Sequence, residues 1–126
     1  MNLVDSCGWL EYFADAPNAS YFAKPIEDIK NLLVPSICIL EVFKSVVKQK
    51  GEDAALQAIA IMIQGRTVEL DIAIALNAAK VGLEYKLPLA DSVILATAKA
   101  NNAILWTQDA DFKNIAGIKY IDKNKL

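Results

Sequence analysis

Ala103-Ile104-Leu105-Trp106-Thr107-Gln108-Asp109-Ala110-Asp111-Phe112 is the stretch whose reading decides the fold. Ala103 to Trp106 is an unbroken apolar run, too short for a helix, that stops abruptly at Thr107. Such a run reads as a strand covered on both faces, the usual state of a parallel sheet. The acidic loop Gln108–Asp111 follows, and after a turn at Gly117 a second strand is expected over Ile118–Ile121. On the other side a helix is expected from about Asp91 to Ala100, ended by Asn101-Asn102. The same alternation runs through the rest of the chain. Asn2-Leu3-Val4 reads as a strand ending at Asp5, and Ser6 caps a helix carrying Trp9, Leu10 and Phe13 on one face. A second helix is expected over Ala19–Ile29, with Pro25 as a weak point. Leu32-Leu33-Val34 is the next strand, and Ser36 caps a helix with Leu40, Phe43 and Val47. Gly51 breaks the chain before an apolar helix over Glu52–Gln64. Thr67–Leu70 is a further strand, and Asp71 caps a helix to about Tyr85. The polar tail Asp122–Leu126 is expected to fray. Strands separated by helices imply βαβ units with right-handed crossovers, so the fold class is α/β with a parallel sheet of about five strands.

Composition narrows the function. At 126 residues one domain spanning 1–126 is expected. A content of 55% hydrophobic and 22% charged residues excludes a disordered or collagen-like chain. A net charge of −2 excludes binding to nucleic acid by bulk electrostatics, so any such binding is local. The chain has no histidine, which removes Ser-His-Asp and Cys-His nucleophiles, HExxH zinc sites and every other His-based metal site. Cys7 and Cys38 lack CxxC spacing; both read as small core residues and suggest a reducing, cytoplasmic setting. No leader and no membrane span is expected, the longest apolar stretch being Ala58–Ile63. A mean hydropathy of +0.29 fits either an Ala- and Ile-rich core or an apolar surface kept for a partner. The apolar helix over Ala54–Met62, with Ile59 and Ile63, is expected to be buried on more than one side, as core or dimer interface.

Ligands of open parallel sheets sit beyond the carboxyl ends of the strands. Asp5 and Asp109 fall there, Glu41 lies in the first turns of the helix after the second strand, and Asp91 begins the helix before the fourth. Taken singly, each has an ordinary alternative: a cap, a turn residue or, for Glu41 near Lys44 and Lys48, a solvated charged face. Asp5 and Asp91 are, however, enclosed by apolar neighbours, and a partly buried carboxylate needs hydrogen bonds, a cation or a metal. A carboxylate cluster without histidine favours Mg²⁺ or Mn²⁺ over zinc. The chemistry that follows is metal-assisted phosphodiester hydrolysis.

Leu3-Val4-Asp5-Ser6, Pro35-Ser36 through Leu40-Glu41-Val42, Leu87-Pro88-Leu89-Ala90-Asp91-Ser92 with Ile94–Ala98, and Trp106 through Phe112 together resemble a PIN-domain ribonuclease of the VapC toxin type. The resemblance covers nearly the whole chain in order. It implies a three-layer α/β/α sandwich and an acidic metal site of Asp5, Glu41, Asp91 and Asp109 holding Mg²⁺ or Mn²⁺. Asp111 is implied as an auxiliary acid, with the hydroxyls of Ser6 and Thr107 near the metal or the attacking water. It further implies an endoribonuclease acting on tRNA or ribosomal RNA, a homodimer, and a cognate antitoxin that inhibits by covering the active-site groove. Lys44, Lys48 and Lys113 flank the expected acidic cleft and are the candidates for RNA phosphate contact. Tyr12 is a candidate for base stacking if exposed. The alternative is a catalytically silent module of the same fold that binds RNA or protein.

Overall fold

The computed structural model describes residues 1–123. Five strands form one sheet: β1 (Asn2–Val4), β2 (Leu32–Pro35), β3 (Arg66–Val68), β4 (Ile104–Thr107) and β5 (Lys119–Tyr120). Six helices connect them: α1 (Ser6–Phe13), α2 (Ala19–Glu27), α3 (Ser36–Lys50), α4 (Glu52–Met62), α5 (Ile72–Tyr85) and α6 (Leu89–Ala100). The strand order is β3-β2-β1-β4-β5 and every pairing is parallel. This is the three-layer α/β/α arrangement. The chain builds outward from β1 in one direction, then returns to lay β4 on the other side of β1. The order therefore reverses between β1 and β4, which makes their carboxyl ends the topological switch point of the sheet.

Leu3, Val4, Leu32, Leu33, Val34 and Leu105 are fully or almost fully buried, as expected of strands covered on both faces. Trp9 of α1 is buried as well and stacks on Phe13 at 5.7 Å. A Cβ on Gly8 would lie 2.6 Å from the Phe22 ring and 2.7 Å from Val4, so α1 can approach α2 and β1 this closely only with glycine there. That close approach fixes the start of α1, where the chain leaves β1.

Several local expectations are corrected. Asp5, not Ser6, caps α1: its Oδ1 accepts from the Ser6 backbone N–H at 2.7 Å. Ser36 is the first helical residue of α3, with Pro35 at the cap. Asp71 does cap α5, accepting from the Ile74 N–H at 2.8 Å. α6 begins at Leu89, so Asp91 stands inside the first turn rather than at the cap. α2 continues through Pro25 but ends at Glu27, and a single 3-10 turn over Ile29–Asn31 leads into β2. β3 and β5 are shorter than expected and lie at the two edges of the sheet. α4 buries only Ala55, Ala58 and Met62, leaving Leu56, Ile61 and Ile63 exposed. Its main packing partner is α3, so one face is covered and the other is not. Of the tail expected to fray, residues 124–126 lie outside the described residues. Among the described residues no helix is long and apolar enough to cross a membrane.

Candidate active site

Asp5 is carried to the carboxyl end of β1 and held there by three neutral donors. Its Oδ1 takes the Ser6 N–H; its Oδ2 takes the Thr107 hydroxyl at 2.7 Å and the Cys7 thiol at 3.3 Å. The backbone is pinned too, with the Asp5 N–H donating to the Trp106 carbonyl at 3.0 Å. Burial pushes the Asp5 carboxyl from its ordinary 3.8 up to about 6, against the lowering effect of those donors. Thr107 is fully buried and bridges two acids: besides donating to Asp5, its oxygen accepts the Asp109 N–H at 2.9 Å. Asp109 in turn caps a 3-10 turn, its Oδ1 accepting from the Asp111 N–H at 2.9 Å.

Oxygens of Asp5, Asp91 and Asp109 lie within 4.8 Å of one another. Three elements meet here: the end of β1, the first turn of α6 and the segment after β4. Asp91 is pushed up to about 8, first by burial and then by the charges of Asp5 and Asp109. Glu41, on α3, stands outside this trio. It is joined to it through Ser6, whose hydroxyl donates to Glu41 Oε1 at 2.6 Å. Asp111 is exposed beside the cluster and adds to the charge felt by Asp91. The hydroxyls of Ser6 and Thr107 are thus each engaged in holding a carboxylate.

The donor set is all oxygen, close-set and half-buried. That is the set a hard divalent cation takes, and bringing three carboxylates this close without a cation is unfavourable, as Asp91 shows, where the charges of Asp5 and Asp109 add to burial. Mg²⁺ or Mn²⁺ fits these residues.

Behind the cluster lies a polar network that sequence reading does not reveal. Gln108 Nε2 donates to Glu11 Oε1 at 3.0 Å, and the Asn18 N–H donates to Glu11 Oε2 at 2.9 Å. Asn18 Nδ2 donates both to Gln108 Oε1 at 2.9 Å and to the Asp122 carbonyl at 3.0 Å. Glu11, Asn18 and Gln108 are all buried. The network fastens the residue between Thr107 and Asp109 to α1 and to the turn before α2. Cys38 is a core residue as expected, but Cys7 is half-buried beside Asp5. The signal for this was its place in the first turn after the Asp5 cap.

Two depressions meet at Cys7 and Gln108, and one of them reaches Asp109. One, of about 460 Å³, runs between α1, α3 and α4, with Leu10, Phe13, Val46, Ala58 and Ile61 among its walls. The other, of about 730 Å³, is lined by Asp109, Lys113, Tyr120 and Lys123 among others. They share Cys7, Gln108 and Lys123. Lys113 thus stands beside the site, whereas Lys44 and Lys48 are exposed on α3 and line neither depression. Tyr12 is half-buried, its hydroxyl donating to Glu27 at 3.0 Å.

The fold and the site together define a class: a parallel α/β/α protein with a trio of carboxylates at its switch point. The PIN domain family model matches residues 3–118, and the chain belongs to that family. A toxin–antitoxin complex from Klebsiella pneumoniae contains a chain of similar structure, with 24% identity, TM-score 0.78, and coverage of 94% of this chain and 95% of that one. The Mycobacterium tuberculosis toxin VapC20, described as cleaving the sarcin–ricin loop, aligns at 15% identity and TM-score 0.77 over 94% of this chain and 98% of its own. DNA-bound VapBC from Salmonella typhimurium aligns at 14% identity and TM-score 0.74 over 97% and 98%. Among curated proteins no match is found.

Proposed function

We propose that this chain is a metal-dependent endoribonuclease, the toxin of a VapBC-type toxin–antitoxin pair acting in the cytoplasm. The observation that carries the reading is the carboxylate trio at the switch point. Asp5, Asp91 and Asp109 are the residues that would hold Mg²⁺ or Mn²⁺, with Glu41 linked to them through Ser6. Such an ion, when bound, lowers the pKa of water and stabilises charge on a phosphodiester. The protein's own part is orientation. Thr107 and Cys7 fix Oδ2 of Asp5, and Thr107 fixes the backbone of Asp109, so the acid that follows β1 is tied to the one beyond β4. Burial and the charges of Asp5 and Asp109 push the Asp91 carboxyl up to about 8, so it would have to give up its proton to hold an ion at neutral pH.

RNA is the proposed substrate, with tRNA or ribosomal RNA as the class. The support is the PIN family membership together with VapC20, a relative in fold whose description names a ribosomal RNA loop. An antitoxin is the proposed protein partner, since relatives in fold are complexes of that kind. The groove between α1, α3 and α4 suits a polypeptide, and through Cys7 and Gln108 it adjoins the depression that reaches Asp109, so such a segment would hinder access. A second copy of the chain is proposed on the outer face of α5 and α6, where Ile72, Leu76, Leu83 and Leu89 are exposed.

Purified protein incubated with a mixed RNA pool in Mg²⁺, in Mn²⁺ and in EDTA, beside Asp91→Asn, tests the activity. Discrete fragments that need the ion and vanish in the variant are expected. A folded protein that cuts nothing and, by calorimetry, binds neither ion would instead establish the catalytically silent module.

A further inference from the structure

We propose that the depression between Lys113, Tyr120 and Lys123 is a subsite for one unpaired nucleotide next to the scissile phosphate. The base stacks on the Tyr120 ring and the phosphate lies against the two lysines. This rests on the nuclease reading of the acids and adds to it which part of an RNA is gripped and by what.

The placement follows from the sheet register. Tyr120 pairs with Thr107 across the parallel β4–β5 ladder, and the Ile121 N–H donates to the Thr107 carbonyl at 3.1 Å. Partners in a parallel ladder project to the same face. The neighbouring pair confirms it: Lys119, partner of Trp106, sets its ammonium 4.6 Å from the centre of the Trp106 ring. Tyr120 therefore stands on the side to which Thr107 sends its hydroxyl toward Asp5. Asp109 forms the wall that the depression shares with the acid cluster, and Gln108 and Cys7 lie at its border with the apolar groove.

The lining chemistry separates the two depressions. Leu10, Phe13, Val46, Ala58 and Ile61 in one suit apolar side chains. The other offers the Tyr120 ring with the Lys113 ammonium over it, 6.0 Å from its centre, and Lys123 on the rim, beside the carboxylates of Asp109 and Asp122. Tyr120 donates its hydroxyl to Asp122 at 3.0 Å, an exposed contact that leaves the ring face to stack. An aromatic platform with cations beside it is how single-stranded RNA is held, and a base locked in a duplex cannot reach such a ring. At a net charge of −2 the protein attracts RNA poorly as a whole, so a local grip of this kind carries more of the binding.

The experiment measures binding of a labelled unpaired RNA hexamer of random sequence by fluorescence anisotropy in Mg²⁺, with Asp91→Asn in every sample to prevent turnover. In that background Tyr120→Leu is expected to weaken binding roughly tenfold, in the range of losing one stacked base. Tyr120→Phe stays within about twofold, because the ring remains. Lys113→Ala lowers the slope of log Kd against log salt by about 0.7, the loss of one phosphate contact to a single strand. Tyr85→Leu is the control; that ring lies under Lys99 at 5.0 Å on α5 and borders neither depression. A duplex of the same length is expected to bind more weakly than the hexamer, and circular dichroism of each variant checks its fold. If the parent protein cuts RNA while Tyr120→Leu binds like its background, the subsite is wrong and the nuclease stands. If Tyr120→Phe falls as far as Tyr120→Leu, stacking is overturned; equal binding of duplex overturns the unpaired preference. If the parent neither cuts nor binds any RNA, the nuclease reading fails and the subsite fails with it.

Discussion

Two regions of the molecule invert the usual partition of residues, in opposite senses. At the carboxyl ends of β1 and β4 polar groups are buried: Asp5 is 3% exposed, Thr107 is sealed, and Glu11, Asn18 and Gln108 lie behind them. On the outer side of α5 and α6 large apolar groups face solvent, with Ile72 80%, Leu83 83% and Leu89 85% exposed. Scattered exposed leucines mean little, but a buried polar cluster and a contiguous apolar face each require something from outside the chain. The first is answered only in part by internal hydrogen bonds. Those bonds hold the acids in place, but burial still raises Asp5, and burial together with the charges of Asp5 and Asp109 raises Asp91. Among the described residues nothing covers the second. One region waits for charge and the other for apolar surface.

The contrast breaks most visibly at Asp91. Asp91→Asn removes one ligand and relieves the repulsion together. Cleavage is expected to fall by about three orders of magnitude, comparable to deleting a principal transition-state contact. The metal-free variant should be more stable than its parent at neutral pH, because burial and then the charges of Asp5 and Asp109 raise Asp91. RNA cleavage and a thermal melt in EDTA read the two effects, and a variant both active and unaltered in stability removes Asp91 from the site.

Acidity is the next lever. Asp5 binds its proton more tightly in the folded protein than in the unfolded chain, with 3.8 moved to about 6. The resulting stability is fully present below about pH 4 and is lost as pH rises through 6. For this buried carboxyl the loss is about 3 kcal/mol. Asp91 extends the decline toward pH 8. Denaturant unfolding of EDTA-treated protein between pH 4 and pH 9 should follow that fall, and Mg²⁺ or Mn²⁺ should flatten it. A stability that rises with pH over this window contradicts the assignment.

Much of the fold is legible in the sequence, and the limits have physical causes. Strand ends were visible because an apolar run stops abruptly at Asp5 and at Thr107, and the acids could be placed from that. The order β3-β2-β1-β4-β5 was not, so nothing in the sequence put Asp91 beside Asp5 without the fold. The Glu11–Gln108 contact spans 97 positions and the Asn18–Gln108 contact 90, with no local pattern to announce either. Tyr120 gains its position only from pairing with Thr107. α4 shows the reverse failure: its composition is apolar nearly all round, but burial was decided by how many faces have neighbours, and only one does.

The buried polar side of the comparison is sharpened by Glu11. Glu11→Ala leaves the Asn18 N–H and Gln108 Nε2 without their acceptor, at a cost of roughly 2 kcal/mol. Activity should fall as well, since Gln108 sits between Thr107 and Asp109. The double exchange Glu11→Gln with Gln108→Glu offers the same donors and acceptors from opposite sides, so it should recover most of the stability that Gln108→Glu alone loses. A melt and a cleavage rate on the three variants read this, and an exchange no better than the single change shows that the pairing is not what matters there.

The smallest effect on stability is expected at the apolar face. Leu76 and Leu83 lie on one side of α5, and a charge there disturbs nothing inside the chain. Leu83→Glu should therefore leave the intrinsic stability of the protomer within about 0.5 kcal/mol of its parent. If a second copy covers this face, the same change places a charge against apolar surface in both halves of a symmetric contact, so each substitution is felt twice. The molecular mass in solution, measured by light scattering across a dilution series, should then drop from two chains to one while the unfolding of the dilute protein stays put. A mass of one chain in the parent removes the self-contact and returns the face to the list of surfaces that need another partner.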